Sequence, residues 1–320
     1  MRVGVLSNLR AGGSGARVAQ VLSRLSKYPE VIRAESSSAE GAGDAIRSLA
    51  DAGVDVLVVN GGDGTLQRAL TELLCAGSAF RKLPVVAPLR TGRTSMSALD
   101  IGSPGDPLTA IDRVIGIARA GQVEQHLVQR AVLRMILEPD GIDHYGTFFG
   151  GGVIYRAIHL THGIFPKGRA QGVFGSSIIT ATLLGRVLTG SASEVLSPDH
   201  VEVHTDGERL EQTQYQLLLA TTLDRLFLRL RPFWGSGPGG IRFTGIAPGG
   251  FHHPGAVSRL VRGRSPTNGR VDRRYVSANV ESVVMTFDSG ATLDGEMFDP
   301  LPGRKATLIA DHRIRFLGAR

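Results

Sequence analysis

The sequence predicts two domains: an α/β N-terminal doubly wound (Rossmann-like) domain over residues 1–122, and a C-terminal antiparallel β-sandwich domain over residues 123–320. Helical and strand patterns alternate over the first part, which is typical of a parallel sheet covered by helices. After residue 121, short segments with strand periodicity dominate, which is typical of antiparallel sheets. The chain has 320 residues, enough for two hydrophobic cores, and its 42 glycines indicate many tight turns.

Apolar runs and helical periodicity follow one another through the first domain. The expected elements are strands at Val3–Ser7, near Val31–Ile32, at Val54–Val59 and at Leu83–Ala87, and helices at Ala16–Leu25, through Ala45–Leu49, at Leu66–Leu74 and at Pro107–Ala118. The helices place apolar residues three and four positions apart. Since each strand precedes a helix, we expect parallel strands.

The second domain is predicted to hold strands and one long helix. The expected strands are Val123–Leu137, Thr147–Ile158, Val201–His204, Tyr215–Ala220, Ile241–Ile246, Tyr275–Asn279, Ser282–Phe287, Thr307–Ala310 and Ile314–Leu317. The helix is expected at Gln171–Leu188. Two segments rich in glycine, proline and basic residues, Arg231–Gly240 and Gly249–Asn268, are expected to be loops.

Composition limits the classes of partner. The net charge is +7 and the pI is about 10.0, so the surface attracts anionic lipid, phosphorylated compounds or nucleic acid. Aromatic residues make up only 6%, and no basic-aromatic stretch resembles a base-stacking platform, so we expect no nucleic acid partner. No apolar run reaches the ~18 residues of a membrane span, and no signal peptide is apparent. We therefore expect a cytoplasmic protein.

The segment Gly61-Gly62-Asp63-Gly64-Thr65 follows an apolar strand and leads into a helix. The glycines are expected to adopt positive φ and to bring the backbone close to a ligand, and the helix N-terminus favours an anion. Asp63 fits such a site if Mg²⁺ joins its carboxylate to phosphate oxygens. The turn therefore predicts a nucleotide-phosphate site with Asp63 as metal ligand. An ordinary strand-to-helix turn with a solvated Asp63 stays open.

The same string resembles the signature of the diacylglycerol kinase catalytic-domain family, which includes soluble bacterial lipid kinases and the sphingosine and ceramide kinases. Leu293-Asp294-Gly295-Glu296 is similar to that family's turn near the acceptor hydroxyl. The resemblance implies that Asp294 is the general base and that Glu296 is its supporting neighbour. A second Asp-Gly-Glu, Asp206–Glu208, is interpreted as a hairpin turn.

Two further turns match the family in part. Asn8-Leu-Arg-Ala-Gly12 resembles its Asn-Pro-x-Ser-Gly turn without the proline, and Pro88–Ser95 retains Thr91 and Gly92 of its third motif. Arg90 and Arg93 replace a glycine and an asparagine there, and their guanidinium groups suit phosphate, although a purely solvent-facing role stays open. The expected nucleotide-binding residues are Asn8, Gly61, Gly62, Gly64, Thr65, Arg90, Thr91, Gly92 and Arg93.

Other family features are altered or absent. The helix after Thr65 reads Gln67-Arg68-Ala69 where the family has Asn-Glu-Val, and Gly239–Phe243 lacks the aspartates that hold a structural Mg²⁺ in bacterial members. Lys167–Phe174 resembles the basic loop before the family's long helix. The resemblance implies that acyl chains lie beside this helix, at Phe174, Ile178, Ile179 and Leu183.

These observations together favour an ATP-dependent lipid kinase, a phosphotransferase with an alcohol group as acceptor. Its cofactors would be ATP and Mg²⁺, its catalytic residues Asp294, Glu296 and Asp63, and its acceptor diacylglycerol, a ceramide or sphingoid base, or a related lipid. Residues 1–122 would bind the nucleotide and residues 123–320 the lipid. The expected partner is an anionic membrane surface at the inner face of the membrane, bound peripherally, and a homodimer is left open. A non-catalytic nucleotide- or lipid-binding regulator and an NAD kinase-like small-molecule kinase also stay open.

Overall fold

A computed structural model describes residues 1–11, 15–103, 105–139, 141–164, 196–252, 255–267 and 272–318. These residues fall in two compact units. The first comprises Met1–Arg130 and the C-terminal residues from Arg313 onward, and the second comprises the described residues between Ala131 and His312. The C-terminal residues join the first unit because Phe316 pairs with Val86 of its sheet. The predicted loop at Lys167–Phe174 and the helix at Gln171–Leu188 lie outside the described residues, as do the four apolar side chains expected beside acyl chains.

The first unit alternates strands and helices as predicted. Its elements are β1 (Val3–Asn8), α1 (Ala16–Arg24), β2 (Ile32–Ser36), α2 (Ala39–Asp51), β3 (Val56–Asn60), α3 (Asp63–Leu74), β4 (Val85–Pro88), α4 (Met96–Ile101) and α5 (Pro107–Arg119). The strands are parallel in the order β2-β1-β3-β4. Only α4 was not predicted.

Helices cover both faces of this sheet, which confirms the doubly wound prediction. Val5 and Val58 share one core with Val21 of α1 and Ile111 of α5. Leu57, which alternates with Val58 and so points to the opposite face, is also fully buried. The helices α2 and α3 pack against each other, as α1 and α5 do. Strands buried on both faces need apolar residues at nearly every position, and each buried Val or Leu stabilises the fold by about 1.5–3 kcal/mol.

From residue 127 onward strands dominate. The elements are β5 (Leu127–Glu138), β6 (Ile142–Gly146), β7 (Phe148–Gly152), α6 (Val153–Ile164), β8 (Asp199–Thr205), β9 (Glu208–Arg209), β10 (Gln214–Tyr215), β11 (Leu217–Thr221), β12 (Ile241–Ile246), α7 (Ala256–Leu260), β13 (Tyr275–Val280), β14 (Ser282–Phe287), β15 (Ala291–Leu293), β16 (Glu296–Phe298) and β17 (Arg304–Leu317).

The strands of the second unit form two sheets around one core. One sheet has the order β10-β8-β14-β17-β5-β6 and the other the order β13-β12-β11-β7-β15-β16. Neighbours such as β8 and β14, or β11 and β12, are antiparallel. Leu133 and Val203 of the first sheet share a core with Phe149 and Phe243 of the second. This shared core makes the unit a sandwich and confirms the predicted class.

Four predicted segments differ from the structure. Gly249–Asn268 was predicted as a loop but contains α7, and Val123–Leu137 was predicted as a strand but forms a 3₁₀ turn over Val123–His126 before β5. Thr147–Ile158 was predicted as one strand, but β7 ends at Gly152 and α6 begins at the next residue. Gly152 has φ 64°, and a Cβ there would lie 2.3 Å from the carbonyl oxygen of Gln216, so this glycine turns the chain where a strand would continue. The predicted strands Thr307–Ala310 and Ile314–Leu317 form one strand, β17, because the polar residues between them stay extended.

Among the helices that the structure describes, none combines the length and the apolar character that crossing a bilayer requires.

Candidate functional site

The first group of predicted residues lies at the ends of β1 and β3. The chain leaves β1 toward β2 on one side and leaves β3 toward β4 on the other, so these ends form the topological switch point of the sheet. Ligands of open α/β sheets bind at such points. Nδ2 of Asn8, the last residue of β1, donates a hydrogen bond of 2.9 Å to Oγ1 of Thr65 in α3. This bond joins the turn after β1 to the turn after β3.

The glycines of the second turn serve close contact and not positive φ. Among Gly61, Gly62 and Gly64, none has positive φ, so that prediction was wrong. A Cβ on Gly61 would lie 2.4 Å from Oγ1 of Thr65, and a Cβ on Gly92 would lie 2.4 Å from Cα of Gly62. The turns at Gly62 and Gly92 therefore touch through their backbones, which only glycine allows.

Asp63 is the first residue of α3 and holds the beginning of α4. Its Oδ2 accepts hydrogen bonds from Oγ1 of Thr94 (2.6 Å) and N of Met96 (3.0 Å), and its Oδ1 accepts one from N of Ser97 (3.1 Å). The first amides of a helix have no partner inside it, so the carboxylate caps α4 from 33 residues away. A carboxylate has about four acceptor positions, which leaves about one for a cation.

No cluster of three acidic, histidine or cysteine side chains suited to a metal ion occurs within the described ranges. A metal bound at Asp63 would therefore need ligands other than such side chains, such as phosphate oxygens and water. The assignment of Asp63 as a metal ligand stays a prediction.

Arg90 and Arg93 flank Thr91, which is anchored to the glycine turn. Oγ1 of Thr91 donates a hydrogen bond of 3.0 Å to the carbonyl oxygen of Gly61, and Thr91 is 1% exposed. Both arginines are half-buried, and neither forms an ion pair with any residue the structure describes. Nε of Arg90 is buried without a hydrogen-bond partner there. Two uncompensated guanidinium groups beside the turn favour an anion.

Ser95 is a residue that sequence reasoning missed. It lies in the left-handed region (φ 45°, ψ 45°), and its Oγ is buried and has no hydrogen-bond partner in the described part of the chain. A non-glycine residue in that region costs about 1–3 kcal/mol and such strain concentrates at functional sites. Ser95 lines a small cavity together with Gly61, Gly62 and Asp63. The polar residues Arg93, Thr94 and Ser95, which precede the unpredicted helix α4, were the only signal in the sequence that pointed to this residue.

The second group of predicted residues centres on the hairpin between β15 and β16. Asp294 (φ 50°) and Gly295 (φ 91°) form its two-residue turn, and Leu293 pairs with Glu296. Positive φ at both positions defines a type I′ turn, for which Asp-Gly is a preferred sequence. Asp294 is 6% exposed.

The carboxylate of Asp294 is fixed against the beginning of β7. Its Oδ2 accepts a hydrogen bond from N of Thr147 (2.8 Å), and its Oδ1 accepts one from Oγ1 of the same residue (2.8 Å). The carbonyl oxygen of Thr147 in turn accepts bonds from Oγ1 of Thr221 (2.8 Å) and N of Thr222 (3.1 Å). Oγ1 of Thr222 is buried and unpartnered among the residues described, so a free hydroxyl lies next to this network. The sequence contained no signal for these threonines.

Glu296 lies in a different environment from Asp294. It is exposed, and within the described residues its side chain has no hydrogen bond or ion pair. Its supporting role stays a prediction. The other Asp-Gly-Glu forms the β8–β9 hairpin, with φ 50° at Asp206 and 85° at Gly207, as predicted.

Residues 2–125 match the family model of the diacylglycerol kinase catalytic domain. The match confirms, over these residues, the resemblance to that family. The match includes the Gly61–Thr65 turn, and it supports a kinase function for the chain. It ends before the second unit, so Asp294 and Glu296 lie outside the matched residues.

Solved structures extend the likeness in fold to the whole chain. The crystal structure of a diacylglycerol kinase from Bacillus anthracis str. Sterne aligns with a TM-score of 0.66 at 16% identity, covering 99% of this chain and 96% of that chain. A further crystal structure from the same strain aligns with a TM-score of 0.67 at 15% identity over the same shares. At these identities the likeness shows the fold. Among curated proteins, none matches the chain.

Proposed function

We propose that the chain is an ATP-dependent lipid kinase that transfers the γ-phosphoryl group to a lipid hydroxyl. The observation that carries this proposal is the family's signature turn, Gly61–Thr65, at the switch point of the sheet within the matched residues. Bound ATP would supply the phosphoryl group, and bound Mg²⁺ would neutralise its charge. Phosphoryl transfer otherwise requires alignment, positive charge and a base.

The nucleotide-binding part of the proposal uses the two touching turns. The backbones of Gly61, Gly62 and Gly92 pack closely at this point, and their amides are proposed to bind the phosphates. Arg90 and Arg93 supply uncompensated positive charge. The remaining proposed nucleotide contacts are Asn8, Gly64, Thr65 and Thr91. Asp63 holds the turn that contains Thr94 and Ser95, and its free acceptor position suits Mg²⁺.

The acceptor part of the proposal assigns Asp294 as the general base. A lipid hydroxyl is a poor nucleophile, so its proton must leave as its oxygen bonds to the γ-phosphorus and the bond to the bridging oxygen of ADP breaks. Two hydrogen bonds from Thr147 orient the carboxylate, and burial keeps competing water away from it. Glu296 is proposed to assist from the exposed side of the hairpin.

The acceptor class is a lipid with a hydroxyl at the head of an apolar body, such as diacylglycerol, ceramide or a sphingoid base. Such an acceptor lies in a bilayer, and the net charge of +7 suits an anionic one. We therefore propose peripheral association with the cytoplasmic face of the membrane.

The test is a radiolabelled ATP assay with Mg²⁺ and a panel of lipids in mixed micelles. The panel holds diacylglycerol, ceramide, sphingosine and phosphatidylglycerol, with NAD as a water-soluble acceptor. Label in one lipid, lost on chelation of Mg²⁺, is the expected result. Label in NAD would assign an NAD kinase-like activity. ATP binding without transfer to any member would favour a non-catalytic regulator.

The variant Asp63→Asn, measured by activity and by thermal unfolding, tests the two roles of that residue. We expect it to abolish transfer, because it weakens both the α4 cap and the cation position. Full activity with unchanged Mg²⁺ dependence would remove Asp63 from the site. Thermal unfolding of the variant shows how much of the loss comes from the cap.

A further inference from the structure

The loop Leu226–Trp234 in the second unit holds an apolar side chain out in solvent. Leu228 is 56% exposed, whereas Leu226 is buried. Leu228 (φ 56°, ψ 22°) and Arg229 (φ 60°) both lie in the left-handed region. A bulky residue there is an outlier that persists only where the surrounding structure enforces it. The loop therefore keeps Leu228 exposed at a cost in strain.

Hydrogen bonds fix both sides of this loop. N of Leu226 donates to the carbonyl oxygen of Leu230 (2.8 Å), and N of Arg231 donates to that of Val261 (3.1 Å). N of Trp234 donates to Oγ of Ser277 (3.1 Å). The second of these bonds joins the loop to the turn after α7, so the two segments form one surface. We call the segments 225–234 and 259–264 the Leu228 surface.

The Leu228 surface concentrates the charge of the chain. Between residues 221 and 267 the sequence holds seven arginines and one acidic residue, against a net charge of +7 for all 320 residues. The acidic residue, Asp224, pairs with Arg242 (2.5 Å). The other six arginines have no acidic partner in the part of the chain that is described: Arg225, Arg229, Arg231, Arg259, Arg262 and Arg264.

We propose that the Leu228 surface docks the protein on an anionic bilayer. Leu228 enters the boundary between headgroups and acyl chains, and the arginines lie at the phosphate level, where each contributes to attraction. This proposal rests on the proposed function, since a lipid acceptor must be reached in its bilayer. The exposed apolar group of this surface is aliphatic, whereas its rings, Phe227, Phe233 and Trp234, are half-buried, which favours hydrocarbon over base stacking.

The direct test is binding of the full chain to vesicles of phosphatidylcholine with and without phosphatidylglycerol. Trp234 is the single tryptophan of the chain and lies in the Leu228 surface, so its fluorescence reports on docking alongside co-sedimentation. We expect binding only with phosphatidylglycerol, a blue shift of the Trp234 emission, and weakening as salt rises.

Variants divide the apolar part from the charged part. Leu228→Asn removes the apolar group yet keeps a residue that tolerates positive φ, and should weaken binding about tenfold. Arg229→Asn and Arg231→Gln should each weaken it about fivefold. The matched controls are Ile142→Asn, also 56% exposed, and Arg273→Gln, whose side chain is 84% exposed and paired with Glu211. These should bind like the unaltered chain, and thermal unfolding checks that each variant is folded.

Three outcomes would overturn the proposal. The first is vesicle binding by folded Leu228→Asn that equals binding by the unaltered chain. The second is a loss of binding in the two controls as large as in the surface variants. The third is tighter binding of a DNA duplex than of vesicles. Lipid kinase activity in detergent micelles separates this proposal from the proposed function. If the unaltered chain phosphorylates a lipid in micelles but Leu228→Asn still docks on vesicles, the docking surface is rejected and the kinase function stands. If Leu228→Asn loses docking but the unaltered chain phosphorylates no lipid, the kinase function is rejected and the docking surface stands.

Discussion

Two hairpins of this protein carry the same three residues, Asp-Gly-Glu, in the same backbone conformation. Asp206 and Asp294 both have φ 50°, and Gly207 and Gly295 have φ 85° and 91°. Each turn joins two antiparallel strands through a pair directly before and after it. The aspartates nevertheless differ in environment, because Asp206 is exposed and Asp294 is 6% exposed.

The hydrogen-bond partners explain this difference. Oδ1 of Asp206 accepts two bonds of 2.8 Å from backbone N of Glu281 and Ser282 at the surface. The carboxylate of Asp294 instead accepts bonds from both the backbone and the hydroxyl of Thr147, inside the fold. The comparison teaches that turn chemistry is local, whereas the fitness of a carboxylate for catalysis depends on the strands packed around it.

The largest expected effect contrasts Asp294→Asn with Asp206→Asn. The first keeps size and turn shape but removes the proposed base, so kcat should fall about 10²- to 10⁴-fold with ATP affinity nearly unchanged. The second should leave kcat within about twofold, since surface substitutions rarely matter. Steady-state kinetics and ATP titration measure both. Equal losses in the two variants would refute the distinction, and a collapse of ATP affinity in Asp294→Asn would make Asp294 a nucleotide or metal ligand.

The next effect concerns what holds Asp294. Thr147→Val removes the hydroxyl donor, and a hydrogen bond to a charged group contributes about 1.5–3 kcal/mol, so kcat should fall at least about tenfold. Thr147→Ser keeps the donor and should retain most of the activity. If the serine variant loses as much as the valine variant, packing at β7 and not the hydrogen bond explains the loss.

A smaller effect tests whether the two backbones are equivalent. No other residue lies within 4 Å of a Cβ added at Gly207 or Gly295 in the described structure, so alanine introduces strain and no clash. Gly207→Ala and Gly295→Ala should each lower the free energy of unfolding by about 1–2 kcal/mol. Urea unfolding measures both. A clearly larger loss at Gly295 would show that its surroundings restrict the turn further.

The smallest effect concerns the glutamates. Glu296→Gln should lower kcat about threefold if an exposed carboxylate only assists the base through the field it creates, because water screens such charges. Glu208→Gln, in the other hairpin, should leave kcat unchanged. A loss approaching that of Asp294→Asn would give Glu296 the role of base.

The first unit shows the same division between local and long-range causes. Its strands and long helices were predicted from periodicity. A helix that buries one face needs apolar residues three and four positions apart, and a strand buried on both faces needs a continuous apolar run. The short helix α4 escaped prediction because its N-terminal cap, Asp63, lies more than thirty residues earlier in the chain. The turn at Gly61–Thr65 was found from residue types, yet its glycines serve a contact with Gly92 and not positive φ.

The sequence by itself determined the two-part architecture, both Asp-Gly turns and the resemblance that the match over residues 2–125 confirms, since periodicity and turn chemistry reside in adjacent residues. Tertiary structure alone decided which aspartate is buried, which arginines lack acidic partners and why Leu228 faces solvent. The reason is that burial and hydrogen bonding join residues far apart in the chain. Thr147 and Asp294 are separated by 147 positions, and no local sequence pattern indicates that they form hydrogen bonds with each other.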